Sequence, residues 1–406
     1  MFLKTKYILL FLILVMTGFF EFIFIRPEIQ TVIVFYFVVR YFREKRNKVF
    51  DKAIYVFFIG VILSIISCLI YRKQSVIQSI WALHNTWTLA LFFFFASKKV
   101  TAKDIVWTIK VLGYGILILY ILQYFLFING IYLRNYSESI IRKGASVRFR
   151  MPATAAIFLI YFDVLYHFLR KFSYIRLLTL AAIIVAVLLM GFRTITAGIA
   201  LATVIMLFFS GLPMRKVIPW VIVISLAGLL VTTNEFVMSR IDNMMQRNES
   251  QNLENENYIR VICYDYFTNQ HFTNDMERFL GSGEFNRSSA YGKYMTSLMD
   301  DKKLFYNDWG IIGLSWLLGI TTVVGILLYV IKLARVNVGM PYINIWIVFL
   351  LLISVLTGEF YRAGNYLIQA LILAYVAKID TGKRYVLSLK RKEKKKLKYQ
   401  NQYMIL

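Results

Sequence analysis

A single arginine interrupts one of the most apolar parts of the chain. Arg193 lies in the short segment GFRTITAG, between the runs IRLLTLAAIIVAVLLM and IALATVIMLFFSG. Arginine stays charged at neutral pH, and its planar guanidinium group can donate two parallel hydrogen bonds to phosphate oxygens. A neutral turn residue would connect two apolar helices at lower cost, so an arginine at this position indicates an anionic partner.

More basic residues lie in two polar segments that are too long to be turns, around 129–150 and 234–308. They are Arg142, Lys143, Arg148, Arg150, Arg240, Arg247 and Arg260. As a group, these side chains suit an anion with an apolar anchor, such as a lipid-linked diphosphate. The alternative for each one is that it extends to the membrane interface or pairs with a nearby carboxylate.

The elements that carry these residues are predicted to be membrane helices. The chain has 406 residues, of which 59% are hydrophobic and 17% charged, whereas soluble domains are about 45–50% apolar and about 25% charged. Apolar runs that can cross a hydrocarbon core of about 30 Å recur along the sequence. We therefore predict an all-α, polytopic integral membrane protein with about 12 transmembrane helices. The predicted spans are 7–25, 29–42, 53–70, 79–97, 105–128, 151–169, 175–192, 194–211, 217–233, 309–331, 341–360 and 364–378.

The net charge of +25 follows the same topology. Basic clusters such as REKRNK, SKKVTAK, RKFSYIR and KLAR fall in alternate loops, as the positive-inside rule requires, and the tail KRKEKKKLK falls on the same side. This pattern predicts that both termini are cytoplasmic. It also predicts membrane lipids, and no nucleic acid, as partners of the basic segments.

The predicted organisation has four parts. Residues 1–233 hold spans 1–9, 234–308 form one large external loop, 309–378 hold spans 10–12, and 379–406 form a basic cytoplasmic tail. The first apolar run lacks a small-residue cleavage site and leads into another span, so we interpret it as a retained helix. The large loop is expected to be an ordered cap with a helix around 254–268, whose apolar stripe is Ile259, Ile262, Tyr266 and Phe267.

Three motifs of this external side allow both a functional and a purely structural interpretation. FLGSG (279–283), which precedes Glu284, is either a place where backbone amides approach a ligand or a plain turn. Asp308, in YNDWGIIGLSW, is either a site residue or a helix cap. Glu359 and Arg362, in TGEFYRAGNY, either take part in a site or pair with each other.

Metal and nucleotide chemistry is not expected. The two cysteines, Cys68 and Cys263, offer neither a disulfide framework nor metal-ligand spacing, and the three histidines, His84, His167 and His271, are widely separated. No glycine-rich nucleotide loop occurs on the cytoplasmic side, so we expect no cofactor and no ATP-driven transport.

The order of these features resembles the Wzy-type polysaccharide polymerases and the related O-antigen ligases, a family with about ten to twelve spans and one large external loop before the last helices. The matching motifs, in chain order, are RFRMPATAA (148–156), GFRTITAG (191–198), YIR (258–260), FLGSGEF (279–285) and NDWGIIGL (307–314). Each motif is short, and the resemblance depends on their order. The ligases commonly carry a histidine in the last motif, whereas this chain has Tyr306, Asn307 and Asp308 there, which favours a polymerase.

The resemblance implies a metal-independent glycosyl transfer at the outer face of the bacterial plasma membrane, in capsule or O-antigen (lipopolysaccharide) synthesis. The partner would be an undecaprenyl-diphosphate-linked oligosaccharide, and a chain-length regulator protein is a further candidate partner. The residues implied to bind the diphosphate are, in order of preference, Arg193, Arg260, Arg150 and Arg148. The candidate bases or acceptor-orienting groups are Glu284, Asp308, Glu359 and His271.

Two alternatives stay open. One is a ligase of the same family, which would transfer the glycan to an acceptor other than a lipid-linked repeat. The other is a flippase or other transporter of lipid-linked oligosaccharides. About twelve spans suit a transporter, but transporters generally show internal repeats or helices broken in mid-membrane, and they do not need a large external cap.

Overall fold

A computed structural model describes residues 4–17, 25–44, 46–128, 152–190, 192–209, 258–336 and 339–381. Arg148, Arg150 and the predicted span 217–233 lie outside these ranges, as does the large loop up to residue 257. Every regular element within the ranges is helical, which confirms the predicted all-α class.

The helices, in chain order, are α1 (Thr5–Thr17), α2 (Pro27–Tyr41), α3 (Asp51–Arg72), α4 (Val76–Ala82), α5 (His84–Trp87), α6 (Phe92–Phe95), α7 (Ala102–Ile128), α8 (Ala155–Arg170), α9 (Tyr174–Met190), α10 (Arg193–Phe209), α11 (Ile259–Asp265), α12 (Asp275–Leu280), α13 (Ala290–Asp300), α14 (Gly310–Arg335), α15 (Pro341–Ile353) and α16 (365–381). Within the described ranges, three helical segments are long and apolar enough to cross a membrane: Asp51–Arg72, Ala102–Leu126 and Tyr306–Arg335. Four shorter apolar helices are Thr5–Thr17, Tyr174–Met190, Thr194–Phe208 and Pro341–Ile353.

The predicted span 79–97 is not one continuous helix. It consists of α4, α5, a 3₁₀ turn (Thr88–Leu91) and α6. Polar side chains within this stretch bond to the main chain, because the Thr88 hydroxyl donates to the carbonyl of Asn85 (2.6 Å) and the Trp87 indole to that of Ile80 (2.9 Å). Such local bonds compete with a regular helical ladder, so the stretch is compact and buried without being a straight span.

Helix α14 is broken at Gly319, whose backbone adopts φ 77° and ψ 165°. A break of this kind frees carbonyls of the preceding turn, and buried carbonyls need a donor. The 279–283 loop supplies it: the amide of Ser282 donates to the carbonyl of Trp316 (2.9 Å), and the amide of Gly283 to that of Leu317 (2.7 Å). The 279–283 loop is therefore inserted into the break of a helix of the bundle.

Helices α3 and α14 pack against each other through glycines. A β-carbon at Gly60 would collide with the backbone of Thr322, and one at Gly325 would collide with the backbone of Phe57. Small residues let two helix backbones approach closely, which is the usual way to bring membrane helices together without a polar contact. This close pair fixes the position of the Gly319 break relative to the C-terminal end of α3.

Contacts between distant loops define one end of the bundle. The Asn47 side chain donates to a carboxylate oxygen of Asp380 (2.8 Å), and the Lys378 ammonium donates to the carbonyl of Ser97 (2.6 Å). The clusters around 43–48 and 97–103 thus lie together with the end of α16. The charge pattern of the sequence predicts the same side of the membrane for both of these loops and for the C-terminal tail.

The opposite end holds the described part of the large loop, 258–309. The predicted helix is present as α11, followed by a π-helical turn (Tyr266–Gln270). The predicted apolar stripe is wrong in part, because Ile259 and Ile262 are exposed, whereas Phe267 is buried and stacks on Trp316 with ring centroids 5.0 Å apart. The π-helical turn changes the helical register after Asp265, so the apolar positions of the sequence do not share one face.

Candidate functional site

The segments next to two of the predicted arginines meet at the turn between α15 and α16. Ala153 and Thr154, which follow Arg150 closely in the sequence, both contact this turn: the amide of Ala153 donates to the carbonyl of Ala363 (2.9 Å), and the Thr154 hydroxyl donates to Glu359 Oε2 (2.9 Å). The sequence alone did not indicate that the start of α8 lies beside the turn between α15 and α16.

The backbone at this junction is strained. Ala153 has a positive φ of 56°, in the left-handed region that disfavours residues with a β-carbon, by roughly 1–2 kcal/mol. Gly364 also has a positive φ, 81°, and a β-carbon on it would lie 3.0 Å from that of Ala153. Strained residues of this kind persist where the surrounding packing holds them, often at functional sites.

Arg362 connects the same turn to the hairpin of Arg193. Its guanidinium group forms an ion pair with Glu359, and the guanidinium carbon lies 5.7 Å from the ring centroid of Phe192. Phe192 immediately precedes Arg193, the first residue of α10, while the Arg193 side chain lies outside the described part of the structure. The pairing of Glu359 with Arg362, which the sequence left as one of two options, is therefore present.

Glu359 is fully buried between Thr154 and Arg362. The side-chain amide of Asn365 donates to its main-chain carbonyl, and the amide of Ala155 donates to Asn365 Oδ1 (3.0 Å). A carboxylate held on both sides and hidden from solvent does not favour the role of a base that meets a substrate hydroxyl.

Glu284 is positioned by the 279–283 loop. Gly283 has a φ of +82°, and a β-carbon on it would collide with the side chain of Cys68 on α3. The Gln74 side-chain amide donates to the carbonyl of Glu284 (2.9 Å), and the Tyr306 hydroxyl donates to Glu284 Oε1 (3.3 Å). The amides of Ser282 and Gly283 are engaged by α14, so this loop is a structural turn and not a phosphate cradle.

Glu284 is half-buried as a residue, and no described lysine or arginine forms an ion pair with its carboxyl group. Desolvation raises its pKa to about 7, and the hydrogen bond from Tyr306 offsets a smaller part of that shift. A carboxylate with a pKa near neutrality has the proton affinity that suits a general base.

Tyr361 lies between the charged groups of this end. Its hydroxyl is 3.1 Å from both Asn307 Oδ1 and the carbonyl of Gly310. Burial raises the pKa of Tyr361 well above its ordinary value, the charges of Glu284 and Asp308 raise it further, and Arg362 lowers it. The Tyr361 hydroxyl therefore joins the turn between α15 and α16 to the start of α14.

Asp308 faces Arg260 without a close hydrogen bond. Arg260 Nε lies 3.9 Å from Asp308 Oδ2, and the two side chains are 27% and 41% exposed. The Trp309 indole donates to the carbonyl of Arg260 (2.9 Å) and fixes α11 to the start of α14. Asp308 does not cap α14, because the 3₁₀ turn Tyr306–Trp309 and the positive φ of Gly310 separate it from the first helical turn.

His271 is buried within the cap. Its ring is surrounded by aromatic side chains, and neither ring nitrogen has a hydrogen-bond partner. Burial, with a smaller contribution from the Arg72 charge, lowers its pKa to about 3. A neutral, enclosed imidazole of this kind does not favour a role as a base.

Arg72, at the end of α3, was not selected from the sequence. It forms a buried ion pair with Glu277 (2.5 Å) and donates to the carbonyl of His271, so it joins α3 to the cap. The sequence could have indicated Arg72, because it is a basic residue at a span end that the charge pattern assigns to the outer side.

In comparisons with known proteins, no family model, no curated sequence and no solved structure matches this chain. Within the described ranges, no group of three or more His, Cys, Asp or Glu side chains is placed to hold a metal ion. Both cysteines, Cys68 and Cys263, are free thiols and buried.

Proposed function

We propose that this chain is a multi-pass polysaccharide polymerase of the bacterial plasma membrane, with about 12 spans and both termini in the cytoplasm. It would transfer a growing glycan from undecaprenyl diphosphate to a lipid-linked oligosaccharide repeat at the outer face. The observation that carries the proposal is the meeting of three segments at one turn: the residues that follow Arg150, the residue that precedes Arg193, and Arg362 with its partner Glu359.

Several arginines beside one turn would suit the leaving group of this reaction. When the glycan leaves undecaprenyl diphosphate, the bond between the anomeric carbon and the phosphate oxygen breaks, and negative charge develops on the diphosphate. Fixed guanidinium groups stabilise that charge most strongly in a partly dehydrated site. Arg193, Arg150 and Arg148 are proposed for this role, with Arg260 contacting the outer side of the same ligand.

Glu284 is the base that the arrangement supports best. The acceptor hydroxyl attacks the anomeric carbon, its proton moves to the Glu284 carboxylate, and the diphosphate leaves. The pKa of Glu284, raised to about 7, leaves a substantial fraction ionised at neutral pH and makes it a better proton acceptor than an ordinary carboxylate. Asp308 is the second candidate, because its side chain is 41% exposed.

The proposal is tested with the full chain reconstituted in liposomes and supplied with a lipid-linked repeat unit isolated from the same cells. The length distribution of the glycan is read on a gel. We expect polymers from the wild type and loss of most polymerisation in Glu284→Gln. Asp275→Asn, a control on the same side whose carboxylate is almost fully exposed, should keep the wild-type distribution. Absence of polymer with the wild type contradicts the proposal.

One observation favours a transporter of lipid-linked oligosaccharides as the second candidate. Helix α14 is interrupted at Gly319, and the stretch from α4 to α6 is interrupted several times. Broken helices are typical of transporter sites. The same liposomes distinguish the two functions, because a transporter moves a fluorescent lipid-linked oligosaccharide across the bilayer without changing its length. A ligase would instead extend an acceptor that is not a lipid-linked repeat.

A further inference from the structure

Arg362 combines a partly accessible side chain with a fixed support. Its side chain is 18% exposed, whereas the side chain of its partner Glu359 is fully buried. The carboxylate therefore holds the guanidinium group from the inner side. An arginine has five N–H donors, and within the described part of the chain the contact with Glu359 is made through one terminal nitrogen, which leaves donors for a second partner.

The support is rigid because Glu359 is itself held. Thr154 donates to Oε2 of the carboxylate at 2.9 Å, and Asn365 holds the main chain of the same residue. Phe192 limits the guanidinium group on another side, with its ring centroid 5.7 Å from the guanidinium carbon. A side chain fixed in this way loses little conformational freedom when it binds a ligand, which favours affinity and orientation.

We propose that Arg362 is a further diphosphate-binding residue, next to Arg193, and that Glu359 is its positioning residue and not a base. The inference rests on the proposed function, because it names the charged group of that donor as the ligand. It adds an arginine that the family resemblance did not assign to the diphosphate, and it gives Glu359 a role that agrees with its burial. The buried carboxylate balances the Arg362 charge while the site is empty of anion.

The test measures binding and activity separately. The full chain in lipid nanodiscs is titrated with farnesyl diphosphate, with uncharged farnesol as the control for the isoprenoid tail and inorganic pyrophosphate as the control for the free anion. We expect Arg362→Gln to weaken farnesyl diphosphate binding about tenfold or more, since one hydrogen bond between charged groups is lost. Arg362→Lys should recover part of the affinity. Farnesol binding should not change.

Arg278→Gln is the matched control. Arg278 also pairs with an acid of its own helical turn, Asp275, but both side chains are exposed. This variant removes the same charge from the same side of the protein and should bind farnesyl diphosphate as the wild type does. Glu359→Gln should weaken binding less than Arg362→Gln does. It should also leave the pH at half-maximal polymerisation unchanged, whereas replacing the base would change that pH.

The outcomes separate this inference from the proposed function. Unchanged farnesyl diphosphate affinity in folded Arg362→Gln overturns the inference while polymerisation by the wild type stands. Arg362-dependent binding in a chain that does not polymerise supports the inference and contradicts the polymerase. If the wild type binds pyrophosphate as tightly as farnesyl diphosphate, the site recognises free phosphate anions and not a lipid headgroup. If the wild type binds neither, the inference is wrong.

Discussion

The main-chain N–H of Gly283 donates a hydrogen bond of 2.7 Å to the carbonyl of Leu317, two residues before the break of α14 at Gly319. Glu284 follows directly, so the break in a membrane helix determines where the candidate base stands. Both glycines have a positive φ, +82° and +77°. The break and the loop therefore depend on each other: neither backbone has its hydrogen bonds satisfied without the other.

The first prediction concerns these glycines. Gly283→Ala and Gly319→Ala should each lower the free energy of unfolding by about 2–4 kcal/mol, because a β-carbon adds left-handed strain and collides with Cys68 or with the backbone of Leu280. Polymerisation should fall by an order of magnitude or more in each variant. Thermal unfolding in detergent and the liposome assay measure the two effects.

Gly115→Ala is the control for this pair. Gly115 lies within α7, and no atom stands within 4 Å of a β-carbon placed on it. The substitution should leave stability unchanged or increase it by up to about 1 kcal/mol through helix propensity. If Gly319→Ala behaves like Gly115→Ala, the inserted loop does not depend on the break.

The sequence was sufficient to predict features that depend on a local pattern, but not features that depend on contacts between distant segments. Apolar runs and loop charges were sufficient to predict α3, α7 and the hairpin of α9 and α10, because each depends on a local pattern. The break at Gly319 could not be predicted, since its cause is a loop that lies far away in the sequence. The same is true of Arg72 and Thr154, whose partners Glu277 and Glu359 are brought to them only by the folded chain.

The second prediction is a pH dependence that belongs to Glu284. Its pKa is raised from 4.5 to about 7, and the base must be ionised, so polymerisation should rise with pH and reach half its maximum near pH 7. Stability changes with pH in the opposite direction to the rate. Between pH 4.5 and 7 the folded state binds more protons than the unfolded state, so the free energy of unfolding falls as pH rises through this range.

Glu284→Gln separates the two effects. It should remove the rise of the rate with pH together with most of the activity, and it should flatten the decrease of melting temperature between pH 5 and 8. The comparison requires melting curves and rates at matched pH values for wild type and variant. A variant with full activity and an unchanged pH profile would show that Glu284 is not the base.

The third prediction concerns Tyr306, which donates a hydrogen bond to the Glu284 carboxylate. The hydroxyl of Tyr306 donates to Glu284 at 3.3 Å and lowers its pKa. Tyr306→Phe should therefore raise the pKa of Glu284 further, and the pH at half-maximal rate should move upward by several tenths of a unit. Tyr294→Phe is the control, because the Tyr294 hydroxyl contacts Tyr266 and the ring is exposed. An unchanged profile in Tyr306→Phe would mean that another group controls the rate.

The fourth prediction concerns the ion pair that joins α3 to the cap. Arg72 Nε lies 2.5 Å from Glu277 Oε1, and the two side chains are 13% and 0% exposed. Arg72→Met leaves a buried carboxylate without its cation and should cost about 3–5 kcal/mol of stability. Replacing both residues, Arg72→Met with Glu277→Met, removes the uncompensated charge as well, so the double variant should be more stable than the single one. Melting temperatures of the three proteins measure this.

The exposed pair Arg278 and Asp275, 3.7 Å apart, gives the reference for that measurement. Arg278→Ala should cost less than about 1 kcal/mol, because solvent screens the charges. Limited proteolysis of the 258–309 segment then shows which part of the molecule Arg72 holds. Faster cleavage in Arg72→Met than in Arg278→Ala is expected, since Arg72 also donates to the carbonyl of His271. Equal cleavage rates would mean that the cap is held to the bundle by the inserted 279–283 loop and not by this ion pair.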